Sequence, residues 1–334
     1  MRVLLLAPFA EEPLDELRHE TDVVHESWLD TGILQDPEIL GARLRKEQFD
    51  AVVVEADFLF AETFEAALDL RFAGICRTGV NHVDIDAATN SGIVVVNTPG
   101  RNANAVAELT LGLMLAVSRR IAESDRYIRD RRWESPVAAY TELRGCELAG
   151  RVAGIVGLGA IGRRVAAICN AFGMNVIAYD PFVPAGEAEK AGATWAELDF
   201  LLESADVVSL HAPPQPDGTP LMTAERIGSL KQGAVLVNTA GAELVDHDAL
   251  VQALQSGQIS GAGLDIFPTH PIEPSSPLLS LSNVVLTPHI GGATDGTVMR
   301  HSAAMATDLI RFKNGERPIN LVNHEVWERL RGRS

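Results

Sequence analysis

The chain has 334 residues, 46% of them hydrophobic and 22% charged, which allows two domains with cores of their own and excludes a disordered chain. A formal charge of −17 argues against a nucleic-acid backbone or an anionic membrane surface as partner, since both are met by basic surfaces. An anionic small molecule in a local basic pocket stays open. The apolar run Val3–Pro8 is too short for a secretory signal, and no stretch approaches the roughly 20 apolar residues of a membrane span. Cys76, Cys146 and Cys169 form no CxxC pair and no metal spacing; buried free thiols, a reducing cytoplasm and no metal are expected.

Along the chain, apolar β-type runs alternate with helix-period segments, the pattern of a parallel sheet covered by helices. Strands are expected at 2–7, 51–55, 72–77 and 94–97, with helices at 13–20 and 37–47 between them. From Ala103 the residues Val106, Leu109, Leu113, Met114, Val117 and Ile121 recur at helical spacing, with Asn102 as the expected N-cap. A polar stretch runs to Glu147. A second α/β series then begins, with strands at 152–156, 175–179, 207–210, 234–238, 261–265 and 284–287, and the chain ends in a helix at 297–313 and a short tail. One unit inserted into another explains this order: residues 102–290 as a nucleotide-binding Rossmann domain, and residues 1–101 with 291–334 as a flavodoxin-like substrate-binding domain. The fold class expected is α/β, with two doubly wound parallel sheets.

The most specific motif is Gly157-Leu158-Gly159-Ala160-Ile161-Gly162, fed by the apolar run Val152–Val156 and followed by a helix with Val165, Ala166, Ile168 and Cys169 inward. A second strand closes on Asp180. A lone GxGxxG is weak; with a strand before it, a helix after it and an acid roughly 20 residues on, it reads as a dinucleotide site. Gly157 permits the tight turn, Gly159 the approach of a pyrophosphate, and Gly162 the packing of helix on strand. Ala160 and Ile161 open the helix, whose N–H groups and dipole favour phosphate. Asp180 would accept from the ribose hydroxyls and repel a 2′-phosphate, which favours NAD over NADP. Arg163 and Arg164 read as exposed helix residues flanking the phosphates.

In this setting the chain resembles the D-isomer-specific 2-hydroxyacid dehydrogenases, the group that includes phosphoglycerate and glycerate dehydrogenases. The resemblance covers almost the whole chain. It rests on Arg77-Thr78-Gly79-Val80 with Asp84, Asn97-Thr98-Pro99-Gly100 followed by Asn102 and Val106-Ala107-Glu108, and Gly145 with Glu147-Leu148. It continues through Leu210-His211-Ala212-Pro213, Val237-Asn238-Thr239-Ala240, Gly263-Leu264-Asp265-Ile266-Phe267 and Thr287-Pro288-His289-Ile290-Gly291-Gly292. The extra C-terminal regulatory domain of some phosphoglycerate dehydrogenases is not expected. The resemblance implies hydride transfer between C2 of a hydroxy acid and a nicotinamide. It makes His289 the general acid/base, a role suited to an imidazole. It makes Asp265 the partner of the nicotinamide carboxamide, and places His211, Thr239 and Ala240 among the cofactor contacts. Backbone N–H groups of Thr78, Gly79 and Val80, with Asn102, become the substrate-carboxylate cradle. The segment around Trp133 and Tyr140 resembles the arm through which members form two-fold dimers, so a homodimer is expected.

Two positions depart from the family. Members usually carry an arginine where this chain has Gly241, in Asn238-Thr239-Ala240-Gly241-Ala242-Glu243-Leu244-Val245-Asp246, and a glutamate where it has His270, before Pro271. Glu273 is a displaced substitute for the latter. The arginine holds the substrate carboxylate in a bidentate fork, and losing such a contact costs about 2–5 kcal/mol. The glutamate orients the histidine; without it something else sets the tautomer of His289. Arg77 and Arg101 are the nearest replacement cations, and His270 could bond His289 or take the substrate, for example a larger sugar acid. Three functions fit: an NAD-dependent dehydrogenase with a rebuilt pocket, a non-redox NAD sensor, and an isomerase or lyase that oxidises and reduces within one cycle.

Overall fold

The structure, a computed structural model, describes residues 1–331; residues 332–334, the end of the expected 291–334 segment, lie outside them. The chain divides into two compact units, one of residues 1–102 with the chain from Thr294 onward, the other Ala103–Ala293.

The first unit is a five-stranded sheet of β1 (Arg2–Leu5), β2 (Asp22–His25), β3 (Ala51–Val54), β4 (Phe72–Ile75) and β5 (Val94–Asn97), in the order β2-β1-β3-β4-β5. Every pairing is parallel. One face packs on helices Glu11–Glu20 and Asp295–Lys313 through Leu14, Leu17, Met305 and Leu309. The other is covered by helices Pro37–Lys46, Ala61–Ala66 and Ile85–Asn90, through Leu40, Leu44, Phe64 and Ala88. Burial on both faces explains why β3 reads as an unbroken apolar run.

This unit differs from the sequence expectation in its strand ends, one edge strand and its tail. The expected strands at 2–7, 51–55 and 72–77 stop at Leu5, Val54 and Ile75, because the chain leaves the ladder there to build loops. The edge strand β2 escapes the pattern, since Asp22 is exposed and the other three residues are only partly buried. The tail forms a further helix, His324–Arg331, which buries Val326 and Trp327 in the first unit's core.

The second unit is a seven-stranded parallel sheet: β6 (Val152–Val156), β7 (Asn175–Tyr179), β8 (Thr194–Trp195), β9 (Val207–Leu210), β10 (Ala234–Asn238), β11 (Ile259–Leu264) and β12 (Val284–Leu286). The order β12-β11-β10-β9-β6-β7-β8 reverses direction at β6, where a doubly wound sheet opens its nucleotide crevice. Helices Ala103–Ser118 and Ala160–Ala171 cover one face through Leu113, Met114, Val165 and Ala166. The polar stretch before β6 contains two helices, Ile121–Arg129 and Pro136–Glu142. Cys76 and Cys169 are buried, but Cys146 is exposed, correcting the expectation for that thiol. It lies in a loop pinned by its backbone, whose N–H donates to Ser118 O at 2.8 Å, so nothing requires its side chain to turn inward.

Candidate active site

The ends of β6 and β7 build a turn whose glycines each answer a spatial demand. Gly157 has φ +94°, and a Cβ there would stand 2.6 Å from the backbone of His211 and Ala212. A Cβ on Gly162 would stand 2.0 Å from Gly157 O. Beside Gly159 there is open space. That space leaves the backbone open to the approach of a pyrophosphate. Helix Ala160–Ala171 then presents N–H groups of Ala160 and Ile161 that have no acceptor among the described residues, as the first turn of a helix does. At the end of β7, Asp180 is held by the N–H groups of Leu158 at 2.8 Å and Phe182 at 2.9 Å. A carboxylate oxygen has two lone pairs, so each can still accept a hydroxyl. Arg164 is tied to Asn104 and to Ala160 O, and Arg163 points at Glu187 O at 3.4 Å.

The register brings the next four strand ends level: Leu210, Asn238, Leu264 and Leu286 lie side by side. The residues just beyond them, His211, Thr239, Asp265 and Thr287, therefore share the edge where open α/β sheets take ligands. His211 Nε2 lies 2.9 Å from Ser209 Oγ, and its Nδ1 is buried without a protein partner. Burial pushes its pKa down to about 3, so the ring is neutral at pH 7. Thr239 is buried and donates to Thr110 Oγ1 at 3.1 Å, Thr110 itself donating to Val106 O. Ala240 N donates to Asn238 Oδ1 at 3.0 Å, and Asn238 Nδ2 closes the loop on Gly241 O at 2.7 Å. Asn238 is a positioning residue, a role that the motif containing it does not disclose. Its signal is an amide at the last position of a fully buried strand.

Asp265 is 1% exposed, and its carboxylate is an anchor. It accepts from Thr287 Oγ1 at 2.6 Å, Ile290 N at 2.9 Å and Gly291 N at 2.8 Å, while its backbone oxygen accepts from His289 N at 2.9 Å. These bonds bend the chain so that His289 takes φ +55° and stands exposed at the tip. His270 comes to the same place from the β11 loop: the two imidazole centroids are 5.1 Å apart, with planes at 45°. Glu273, the displaced substitute, is exposed on the same loop.

In the first unit, the loop after β4 carries Arg77, Thr78, Gly79 and Val80. Asn97 Nδ2 donates to Thr78 O at 2.8 Å, and Thr78 Oγ1 accepts from Gly100 N at 3.2 Å, which shapes the loop. The N–H groups of Thr78, Gly79 and Val80 have no acceptor among the described residues. Arg77 is half-buried and also lacks a carboxylate partner there; burial and the nearby Arg101 charge hold its pKa below the ordinary value. An unpaired guanidinium beside three open N–H groups suits an anion. Arg101 is different. Its Nη1 lies 2.5 Å from Glu55 Oε1 and 2.7 Å from His301 Nδ1, and its side chain is 11% exposed. His301 donates from Nε2 to Pro8 O at 2.7 Å, and Arg300 Nε donates to Arg101 O at 2.6 Å. The Arg101 charge is matched inside its own unit, which leaves Arg77 the better-placed cation. Asn102 directly precedes helix Ala103–Ser118. Replacing Arg101 by alanine is expected to strand Glu55 and destabilise the protein by about 3–5 kcal/mol in urea unfolding. A stability change within about 0.5 kcal/mol would instead make Arg101 a surface contact.

A family model described as the D-isomer specific 2-hydroxyacid dehydrogenase NAD binding domain matches residues 111–291. The chain belongs to this family. A D-3-phosphoglycerate dehydrogenase of Archaeoglobus fulgidus is 36% identical over 324 residues, 97% of this chain and 59% of that protein, so this chain spans well under two thirds of that relative. A glyoxylate reductase of Korarchaeum cryptofilum is 41% identical over 284 residues, covering 84% of this chain and 85% of that one. A crystal structure of a protein from Thermus thermophilus superposes with a TM-score of 0.84 at 37% identity, covering 96% of this chain and 100% of its own. As a member of this family, the chain takes NAD as cofactor, and the open space at Gly159, the free N–H groups and the Asp180 carboxylate fit that molecule. Among the described residues no helix is long and apolar enough to cross a membrane.

Proposed function

We propose that this dehydrogenase interconverts a 2-hydroxy acid and its 2-oxo acid. NAD, when bound, carries the hydride. In the reducing direction the imidazolium of His289 donates a proton to the C2 oxygen; in the oxidising direction the imidazole removes it. Gly157, Gly159, Ala160, Ile161, Gly162 and Asp180 hold the dinucleotide, with His211, Thr239 and Ala240 lining the level strand ends beside it. Asp265 serves chiefly by fixing the loop that presents His289. The carboxylate of the substrate goes to the N–H groups of Thr78–Val80 and to Arg77, with Asn102 as a further donor.

The observation that carries this reading is His289 at the tip of a loop tied to Asp265, with a second imidazole centred 5.1 Å away. Its test is the loss of NADH absorbance across a panel of 2-oxo acids, and the gain across 2-hydroxy acids. Turnover of any member supports the dehydrogenase; no turnover, with NADH still bound tightly, would return the non-redox reading. The family and its relatives weigh against that reading and against the isomerase or lyase.

We also infer a cytoplasmic homodimer. Trp133, Val137 and Tyr140 on the segment before β6 are 58%, 76% and 74% exposed, a concentration of apolar surface that a second copy would cover. The unpaired thiols fit a reducing compartment. Sedimentation of the purified chain distinguishes dimer from monomer.

A further inference from the structure

Arg101 is fastened both by its side chain and by its backbone, all within the first unit. Its Nη1 carries two hydrogens, one directed to Glu55 Oε1 at 2.5 Å and the other to His301 Nδ1 at 2.7 Å. Its backbone oxygen accepts from Arg300 Nε at 2.6 Å. The second oxygen of Glu55 accepts from Trp28 Nε1 at 3.2 Å, which holds that carboxylate in place. A guanidinium gives up no proton in a protein, so His301 Nδ1 can only accept. The ring hydrogen therefore sits on Nε2, which donates to Pro8 O at 2.7 Å. Both nitrogens are used, on a ring that is 0% exposed. Burial, with the Arg101 charge acting in the same sense, holds the His301 pKa below its ordinary value, so the ring is neutral at pH 7.

The residues just before Arg101 shape the loop after β4. Asn97 Nδ2 donates to Thr78 O at 2.8 Å, Thr98 N donates to Arg77 O at 3.0 Å, and Gly100 N donates to Thr78 Oγ1 at 3.2 Å. Gly100 and Arg101 share a peptide bond, so the aim of Gly100 N depends on where Arg101 is held. Arg77 also feels the Arg101 charge, which lowers its pKa, so a guanidinium released from His301 would disturb the anion-binding loop a second way. We propose that His301 is a positioning residue: by accepting from Arg101 it fixes the segment that shapes the cradle at Arg77 and Thr78–Val80, and so sets the affinity for the substrate carboxylate. This rests on the reading of that cradle as the carboxylate site of a 2-hydroxyacid dehydrogenase.

Two variants separate the two nitrogens. His301→Asn places an amide oxygen near the position of Nδ1 and keeps an acceptor for Arg101; His301→Gln reaches the position of Nε2, keeps a donor for Pro8 O and leaves Arg101 without its acceptor. NMR of the native protein at pH 7 is expected to find the His301 ring hydrogen on Nε2. The amide resonances of Thr78, Gly79, Val80 and Gly100 should move in His301→Gln and stay near native in His301→Asn. With glyoxylate and pyruvate as probes, KM should rise roughly 5- to 50-fold in His301→Gln at a kcat within about two-fold of native, and return to within about three-fold in His301→Asn. Circular dichroism and Tm of both variants serve as the folding check. A ring hydrogen on Nδ1, unmoved cradle amides in His301→Gln, or a kcat that falls with KM unchanged overturns the proposal. A native protein that turns over neither probe would count against the dehydrogenase reading, while the tautomer and the amide shifts, read without substrate, still decide the role of His301.

Discussion

Replacing Gly162 by alanine is expected to weaken NADH binding by at least about 100-fold, on the order of 3 kcal/mol. The new Cβ would sit 2.0 Å from Gly157 O and 3.0 Å from Gly157 C, and both are backbone atoms that cannot rotate away. Helix Ala160–Ala171 must therefore back off the turn, and the N–H groups of Ala160 and Ile161 lose their aim. Overpacking of this kind also costs about 1–3 kcal/mol of stability. Gly159→Ala is the informative companion. Its φ of −77° suits any residue, and its Cβ would meet nothing within 4 Å, so the protein should keep its Tm. It should nonetheless bind NADH less well, because the methyl group enters the space left for the pyrophosphate. Fluorescence titration with NADH and thermal unfolding separate the two variants. A Gly162→Ala protein that binds NADH within two-fold of the native one would remove this turn from the cofactor site.

Replacing His289 by asparagine is expected to lower kcat by about 10²–10⁴-fold with little change in NADH affinity. Asparagine is the right substitute because it tolerates the left-handed backbone, and His289 sits at φ +55°. An alanine would add backbone strain to the loss of the imidazole and blur the result. The loop itself should survive, because its fastening runs through Asp265 to Ile290 N, Gly291 N and Thr287 Oγ1, none of which involves the imidazole. His270→Ala should have a smaller effect, about ten-fold on kcat, since it removes the neighbouring ring and leaves His289 in place. Stopped-flow measurement of the hydride step, with NADH binding titrated separately, checks both. Native kcat in His289→Asn would mean that proton transfer goes elsewhere.

The two expectations differ in how far they could be read before any fold was known. The dinucleotide turn is a local object. Its strand, glycines, helix and terminal acid lie within 30 residues, so spacing alone constrains their geometry. Gly157, Gly159 and Gly162 each meet the spatial demand that the pattern implies. The histidine pair is not local in that sense. His270 and His289 come from loops after different strands, and only the pairing of β11 with β12 makes them neighbours.

By itself the sequence determined two parallel α/β units, a nucleotide turn, membership of a dehydrogenase lineage and the absence of arginine and glutamate at positions 241 and 270. These follow from periodicity, spacing and motif, which the chain carries locally. Tertiary structure alone decided the partners of charges. It pairs Arg101 with Glu55 and His301, residues 46 and 200 positions away, and so removes from open duty a cation that reads as free in the sequence. It turns Asp265 into the clasp of the His289 loop, and folds Glu243 back over Gly241. It leaves the thiol of Cys146 exposed and gathers the tail into a helix. The physical reason is common to all of these. A side chain's charge state, partners and exposure are set by what the rest of the chain brings within a few ångströms, and no local pattern records that.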